Sequence, residues 1–568
     1  MKRRWVVGAL AVAVLLLAGV AFLEVTGNAP EEMAELAAQG GEKVLREPMR
    51  AARGAPRVLV FALDGVGDEE LRAAVAGGRA PRIARLLGRR TAEADVYAHA
   101  YAAPGVLSIL PSTTFAAWTS MFTGRPPAET GVPGNEWFAR EEDRFYAPAP
   151  VTVPQFAHTL EVYTDGLMGR VTKTPTLYEM AGVRSYVSLA ALHRGADLVT
   201  TPSPEAVARL AAAAAEGAAQ EGESVSEEVY SELDRSAVRS LLRSIETHGP
   251  ADLQVVYFPG VDLWTHVAPR PLEEQRKYVR TVIDRSVGEV LDAYRRAGAL
   301  EGTYVLFVAD HGHTPVLSDD RHSLGTGEEN GGEPPDLLRR AGFRVRPFAL
   351  EGEEGEAGDH QAVLAYQGAF AYVYLADRST CPNPGDRCDW RRPPRLEEDV
   401  LPVARAFEAA GRAGAGVPEL RGTIDLVFAR PPVAPGAEAR PFEVWDGARL
   451  VPVGAWLAAH PRPDLLDLER RMEGLGAGPW GHRAGDVALL ARSGADRPIG
   501  ERFYFSGLYS SWHGSPSAQD SRIPLFVALP GGDGAALRET VRRAVGERPT
   551  QLDVTRLVLA LLGKPAGD

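Results

Sequence analysis

The sequence predicts an α/β fold built on a mostly parallel sheet flanked by helices, and three observations carry that expectation. Residues 58–63, 253–258, 304–308 and 523–529 are apolar runs without alternation, which suits strands buried on both faces. Three of these runs deliver a carboxylate beside a glycine: Asp64 before Gly65, Asp310 before His311 and Gly312, and Asp262 after Pro259 and Gly260. Between the second and third runs, residues 272–297 carry Val279, Ile283, Val287, Val290 and Tyr294 on one helical face. A strand, a long crossover helix and a second strand make a βαβ unit. Its strands should be parallel and share a carboxyl edge, where open α/β sheets keep their ligand sites.

Composition narrows the function classes. The chain has 568 residues, enough for one large α/β domain with an insertion, and 45% hydrophobic with 24% charged residues is ordinary for a globular protein. A net charge of -13 argues against a basic nucleic-acid-binding surface. It also makes an anionic substrate awkward unless a bound divalent metal supplies positive charge in the pocket.

At the N-terminus Lys2, Arg3 and Arg4 precede nineteen uncharged residues, 5–23. At about 1.5 Å per residue these span roughly one hydrocarbon core. The expectation is a cytoplasmic tail at 1–4 and a transmembrane signal anchor at 5–23 in contact with the lipid bilayer. The catalytic domain is then exported to the periplasm or the extracellular side. A cleaved signal peptide is the alternative, with Gly19-Val20-Ala21 a poor cleavage site. Residues 24–55, rich in Ala, Glu and Gly, are expected to be a stalk without strands, and the catalytic domain to run over 56–565. Cys381 and Cys388 flank a turn-rich loop and predict a disulfide in an exported protein.

Along the chain, Asp64 is a candidate ligand or the cap of a helix starting near Asp68. Helical stretches follow at 69–76 and 82–87. Residues 111–124, Pro-Ser-Thr-Thr-Phe-Ala-Ala-Trp-Thr-Ser-Met-Phe-Thr-Gly, place hydroxyls just ahead of a helix-like segment. There a hydroxyl is a cap or, if cations lie beside it, a nucleophile in a position that favours phosphate. An Ala-rich run and residues 224–246, with Val229, Leu233, Ala237, Leu241 and Ile245 on one face, read as scaffold helices. Asp262 and His266 should lie beside Asp310 and His311. Residues 322–497, rich in Gly, Pro and Arg with strand-like 370–375 and 425–428, read as an insertion or cap. His322, His360 and His482 within it read as surface or core histidines. His513 precedes the last apolar run, and 551–562 close the chain as a helix.

In this order Asp64, Pro111-Ser-Thr-Thr114-Phe115, Asp262-x-x-x-His266, Asp310-His311-Gly312 and His513-Gly514 resemble the type I phosphodiesterase and nucleotide pyrophosphatase family of the alkaline phosphatase superfamily. The resemblance implies an alkaline-phosphatase-like sheet with an inserted cap. It implies two zinc ions, one on Asp262, His266 and His513 and the other on Asp64, Asp310 and His311, with the Thr114 hydroxyl between them. It selects Thr114 as nucleophile, because the family's nucleophile precedes a Phe. Asn135 stands twenty-one residues later, where the family has an Asn that donates to a phosphoryl oxygen. Phe115 and Tyr257 match aromatic positions that flank a nucleotide base. Ala116-Ala117-Trp118 and Thr265 depart from the family's usual residues, and they touch substrate choice more than chemistry. The implied activity is phosphodiester hydrolysis of a small nucleotide-like substrate through a phosphothreonine intermediate. The alternatives are a phosphomonoesterase or phospholipid head-group enzyme with the same ligands, and a non-catalytic membrane-tethered binding protein. Sulfatases of the same superfamily need a modified Cys or Ser nucleophile in a segment that Cys381-Pro-Asn-Pro does not match.

Overall fold

The unalternated runs lie side by side at the centre of an eight-stranded sheet. The computed structural model describes residues 41–47, 55–152, 157–164, 166–203, 206, 209, 226–325, 333–348 and 358–565. The tail, the apolar segment 5–23, most of the expected stalk and most of the Ala-rich run lie outside the described residues. Among the described residues no helix is long and apolar enough to cross a membrane.

In chain order the strands of the main sheet are β1 (Glu42–Val44), β2 (Arg57–Leu63), β3 (Ala100–Ala102), β4 (Ser185–Ser188), β5 (Leu198–Thr200), β6 (Leu253–Phe258), β7 (Thr303–Val308) and β8 (Leu525–Ala528). Their order across the sheet is β1-β5-β4-β6-β2-β7-β8-β3. The central five, β5, β4, β6, β2 and β7, run parallel, whereas β1, β8 and β3 are antiparallel to their neighbours. The crossover from β6 to β7 gives parallel strands, as its length predicts, but β2 sits between them. Pairing Leu63 with Phe258 and Ala62 with Val308 brings the ends that precede Asp64, Asp262 and Asp310 to one edge.

Both sheet faces are covered. Phe61 stacks on Phe307 at 5.3 Å between ring centroids, in a core shared with Val279, Ile283, Val287 and Val290 of the crossover. Val60, Val255 and Leu306 face a second core on the opposite side. The crossover is not one uniform helix: a π-helical stretch, Val279–Ile283, joins the α-helices Pro271–Tyr278 and Asp284–Arg296. Glu42–Val44, within the stretch expected to be a stalk without strands, pairs with Leu198–Thr200 as the sheet's edge. Two charged residues and an exposed Val44 carry too little apolar pattern to announce a strand.

Between β7 and β8 the chain builds a second, wholly antiparallel six-stranded sheet. Its order is Ala362–Gln367, Phe370–Leu375, Val487–Ala491, Ile424–Ala429, Glu443–Trp445 and Leu450–Pro452. Helix Leu401–Ala413 buries Val403 and Phe407 in a core with Leu364, Val373, Val427 and Leu489. The other face, through Phe370, Tyr372, Phe428 and Leu490, joins the core of the main sheet. Cys381 and Cys388 are disulfide-bonded beside it. His322, His360 and His482 are all buried.

Candidate metal centre

Two short helices bring the functional side chains to the carboxyl edge. Helix Gly260–Val267 follows β6 and presents Asp262 and His266 four residues apart on one face. Helix Thr114–Met121 begins at Thr114, with Thr113 as its N-cap, so the Thr114 hydroxyl stands at a helix N-terminus. Asp64 leaves β2, and Asp310 and His311 leave β7. His513 comes from the segment before β8, held by a bridge between Ser112 and Gly514. All seven side chains expected to meet at the centre are buried there.

The distances define the grouping. Among the described residues, three sets could hold a metal: Asp262, His266 and His513; Asp64, Asp310 and His311; and Asp262, His311 and His313. His311 Nε2 lies 3.3 Å from Thr114 Oγ1, 3.2 Å from Asp310 Oδ2 and 3.5 Å from Asp64 Oδ1. Asp262 Oδ2 is 3.4 Å from His266 Nε2, and Asp262 Oδ1 is 2.8 Å from His313 Nε2. The rings of His311 and His513 stack at 3.6 Å.

Each imidazole is fixed by its other nitrogen. Nδ1 of His266 is 2.9 Å from the Ser511 carbonyl, Nδ1 of His513 is 2.9 Å from the Ser112 carbonyl, and Nδ1 of His311 is 3.1 Å from the Gly312 carbonyl. A carbonyl only accepts, so in the neutral ring Nδ1 carries the proton and Nε2 presents a lone pair inward. Oriented imidazoles of this kind are characteristic of metal ligands. The carboxylates fit the same reading. Asp64 Oδ1 and Asp310 Oδ2 are buried without a hydrogen-bond partner, while their other oxygens are held by the Tyr257 hydroxyl and by the backbone N–H groups of Gly65 and His311.

Electrostatics adds to this. Burial pushes Asp310 up to about 8; burial, with the charges of Asp310 and Asp262 beside it, pushes Asp64 well above the usual carboxylate range. Burial would raise Asp262 too, but His266 and His313 outweigh it and hold its carboxyl well below that range. Burial lowers His311 to about 3, and burial with His311 alongside pushes His513 well down. Crowded carboxylates beside imidazoles kept neutral are unfavourable alone, and divalent cations relieve that repulsion. The residues present therefore fit bound divalent cations.

Two further groups were assigned on the sequence. Asn135 Oδ1 accepts from the Phe115 N–H at 3.0 Å, which makes its NH2 the donating end of the amide. Phe115 is buried one residue after Thr114. Tyr257 lies in β6 beside the centre. It is 4% exposed, donates its hydroxyl to Asp64 and meets Trp118 edge-on at 5.5 Å, so its ring is enclosed. The residue that sequence reasoning missed is His313. Its signal was its place two residues beyond His311, in a stretch where ligand roles went only to Asp310 and His311.

The sequence model of the type I phosphodiesterase / nucleotide pyrophosphatase family matches residues 58–353. The chain belongs to this family. The matched stretch holds Asp64, Thr114, Asn135, Asp262, His266, Asp310 and His311, and it ends before the second sheet and His513. No curated protein matches the sequence. Among solved structures the chain is similar to murine ectonucleotide pyrophosphatase/phosphodiesterase 5 in an inactive form in complex with AMP. That match has 12% identity, covers 90% of this chain and 96% of that chain, and has a TM-score of 0.49. A second structure of the same murine protein matches with 11% identity, the same coverage and a TM-score of 0.47.

Proposed function

We propose that the chain hydrolyses small phosphodiesters, nucleotide-type ones foremost, with Thr114 as nucleophile and two zinc ions in the centre. The observation that carries this reading is the Thr114 hydroxyl. It begins a helix, 3.3 Å from His311 Nε2, where unpartnered oxygens of Asp64 and Asp310 also converge. Asp262, His266 and His513 would hold one ion, and Asp64, Asp310 and His311 the other; mixed imidazole and carboxylate ligation suits zinc. Bound there, the ions would supply Lewis acidity and offset charge on the phosphoryl group.

The chain's own residues account for the rest. Thr114 Oγ1 attacks phosphorus and the ester oxygen leaves, giving a phosphothreonine. Water then attacks phosphorus, the bond to Oγ1 breaks, and Thr114 is restored. The helix N-terminus and the Asn135 amide favour the oxygen charge that builds in both steps. A diester leaves less charge to neutralise than a monoester, which suits a chain of net charge -13. The uncharged segment 5–23 after Lys2, Arg3 and Arg4, together with the Cys381–Cys388 disulfide, supports an exported, membrane-anchored enzyme. Fractionation of the full chain and a C-terminal reporter test that part.

With Thr114→Ala, kcat falls by ~10³-fold or more while the zinc content stays at that of the parent. Chelation removes parental activity, and zinc restores it. Turnover by Thr114→Ala at the parental rate would discard the nucleophile, a metal-free active enzyme would discard the ions, and higher kcat/KM on monoesters would discard the substrate class.

A further inference from the structure

We infer that His313 is a cation ligand, its Nε2 binding the ion held through Asp262. This rests on the two-cation reading above and adds a fourth imidazole to it.

The argument begins with protons. His313 Nδ1 lies 3.0 Å from Ser511 Oγ, and that hydroxyl donates its own proton to the Thr265 carbonyl at 2.8 Å. Ser511 Oγ is then an acceptor toward the ring, so Nδ1 of the neutral imidazole carries the hydrogen and Nε2 is a bare lone pair. It has the same tautomer and the same inward aim as His266, His311 and His513. Yet Nε2 stands 2.8 Å from Asp262 Oδ1, a carboxylate oxygen that also offers only lone pairs. Two electron-rich atoms facing each other in a fully buried pocket repel, and a cation that both bind removes the conflict.

Space for that arrangement is set aside by one glycine. A Cβ on Gly65 would lie 2.5 Å from His313 Nε2 and 2.9 Å from Asp262 Oδ1, and Gly65 has a φ of +67°. The turn after β2 therefore leaves open the point on which both atoms converge. Ligand atoms of Asp262, His311 and His313 all lie within 4.8 Å of one another. The ring is held by contacts unlike those of the other three, through Ser511 Oγ and onward to Thr265, a position where this chain departs from the family's usual residue. An additional neutral ligand strengthens cation binding without adding negative charge to a crowded centre.

The test is anomalous scattering from zinc-loaded crystals of the full chain, joined to zinc affinity measured by chelator competition on the parent and on His313→Gln. Glutamine can donate to Asp262 and accept or donate at Ser511, so it would serve a purely positioning role while removing the imidazole ligand. The expected results are a zinc peak about 2.0–2.1 Å from His313 Nε2 and at least ~10-fold weaker binding of one ion by His313→Gln. A peak on Asp262 and His266 with His313 Nε2 off the metal and donating to Asp262 overturns the inference and leaves the two-cation reading standing. Parental affinity in His313→Gln overturns it as well. No zinc at any of these residues overturns both. If His313→Gln does not fold, the crystal result decides.

Discussion

At the carboxyl edge of the main sheet, buried carboxylates and imidazoles face one another across a few ångströms; beside the second sheet the buried charges of Arg430 and Arg140 stand apart, each with its own protein partners. Asp64, Asp262, Asp310, His311 and His513 crowd into one pocket with carboxylate oxygens left unpartnered. Arg430, by contrast, is almost fully buried yet donates to the carbonyls of Arg440, Gly476, Gly481 and Gly485, and lies 4.1 Å from the Phe442 ring centroid. Arg140 pairs with Asp486, whose carboxylate also accepts from the Leu375 N–H. Carboxylates crowded together with unpartnered oxygens mark a place built for added positive charge, whereas a buried charge that meets its own partner needs none.

Besides sharing a core with the main sheet, the second sheet reaches the centre through one hairpin. Its turn, Gly368 with φ +69°, presses against His513, whose carbonyl accepts from the Ala369 N–H at 3.1 Å. One residue earlier, Gln367 Oε1 accepts from the Asn135 N–H at 2.7 Å, and its amide donates to the Glu136 carbonyl. Glu136 in turn accepts from the Tyr366 N–H at 2.7 Å. The insertion thus supports two side chains of the centre besides covering it.

Arg430→Met should break the comparison if it is wrong. Loss of the guanidinium strands several buried carbonyls, and a stability loss of ~3 kcal/mol or more is expected, read as a lower denaturation midpoint. Zinc stoichiometry and kcat of the folded fraction should stay at parental values. A variant that keeps its stability would show that Arg430 does not hold the scaffold, and one that loses zinc would show that its contacts reach the centre.

Gln367→Ala should have a smaller and opposite signature. With Asn135 no longer held, kcat should fall between ~10- and 100-fold while zinc content and KM change little. In an Asn135→Ala background the same substitution should cost kcat nothing more, because the residue acts through Asn135. An additive loss would give Gln367 a separate role.

Much of the main sheet and most of the centre were legible because their signals are local. An apolar run of strand length followed by Asp and Gly can be read within ten residues, as at Asp64 and Asp310, and a helical Asp262-His266 pair within five. What could not be read depends on distance along the chain or on detail at strand ends. The Gln367 to Asn135 contact spans 232 residues and leaves no pattern in either segment. The hydrogen bond from Tyr257 to Asp64 spans 193 residues and likewise leaves no pattern in either segment. His313 was hidden by its neighbours, since the triplet before it already made a complete motif. The edge strand at Glu42–Val44 is specified by its partner Leu198–Thr200 more than by its own residues.

Asp234 offers the gentlest change, and it separates support of the centre from the centre itself. It lies on helix Glu227–His248, fully buried, and its carboxylate accepts from the Gly260 N–H at 3.0 Å and from the Tyr278 hydroxyl at 2.8 Å. It therefore caps the helix that carries Asp262 and His266. Burial pushes its carboxyl up to about 7, against an ordinary value of 3.8. Below the unfolded value both states hold the proton, so the neutral group costs nothing. Between about 4 and about 7 the unfolded chain releases the proton while the fold retains it, so stability falls as pH rises and levels off above the folded value. The slope this group contributes is at most ~1.4 kcal/mol per pH unit. Asp234→Asn keeps an acceptor for Gly260 and a polar neighbour for Tyr278 but cannot ionise. The stability difference between Asp234→Asn and the parent should shift in favour of the variant as pH rises from 5 to about 7, then stay constant to pH 8, with zinc content unchanged. A difference independent of pH over that range would mean that Asp234 is already ionised in the fold, held by Gly260 and Tyr278 strongly enough to outweigh its burial.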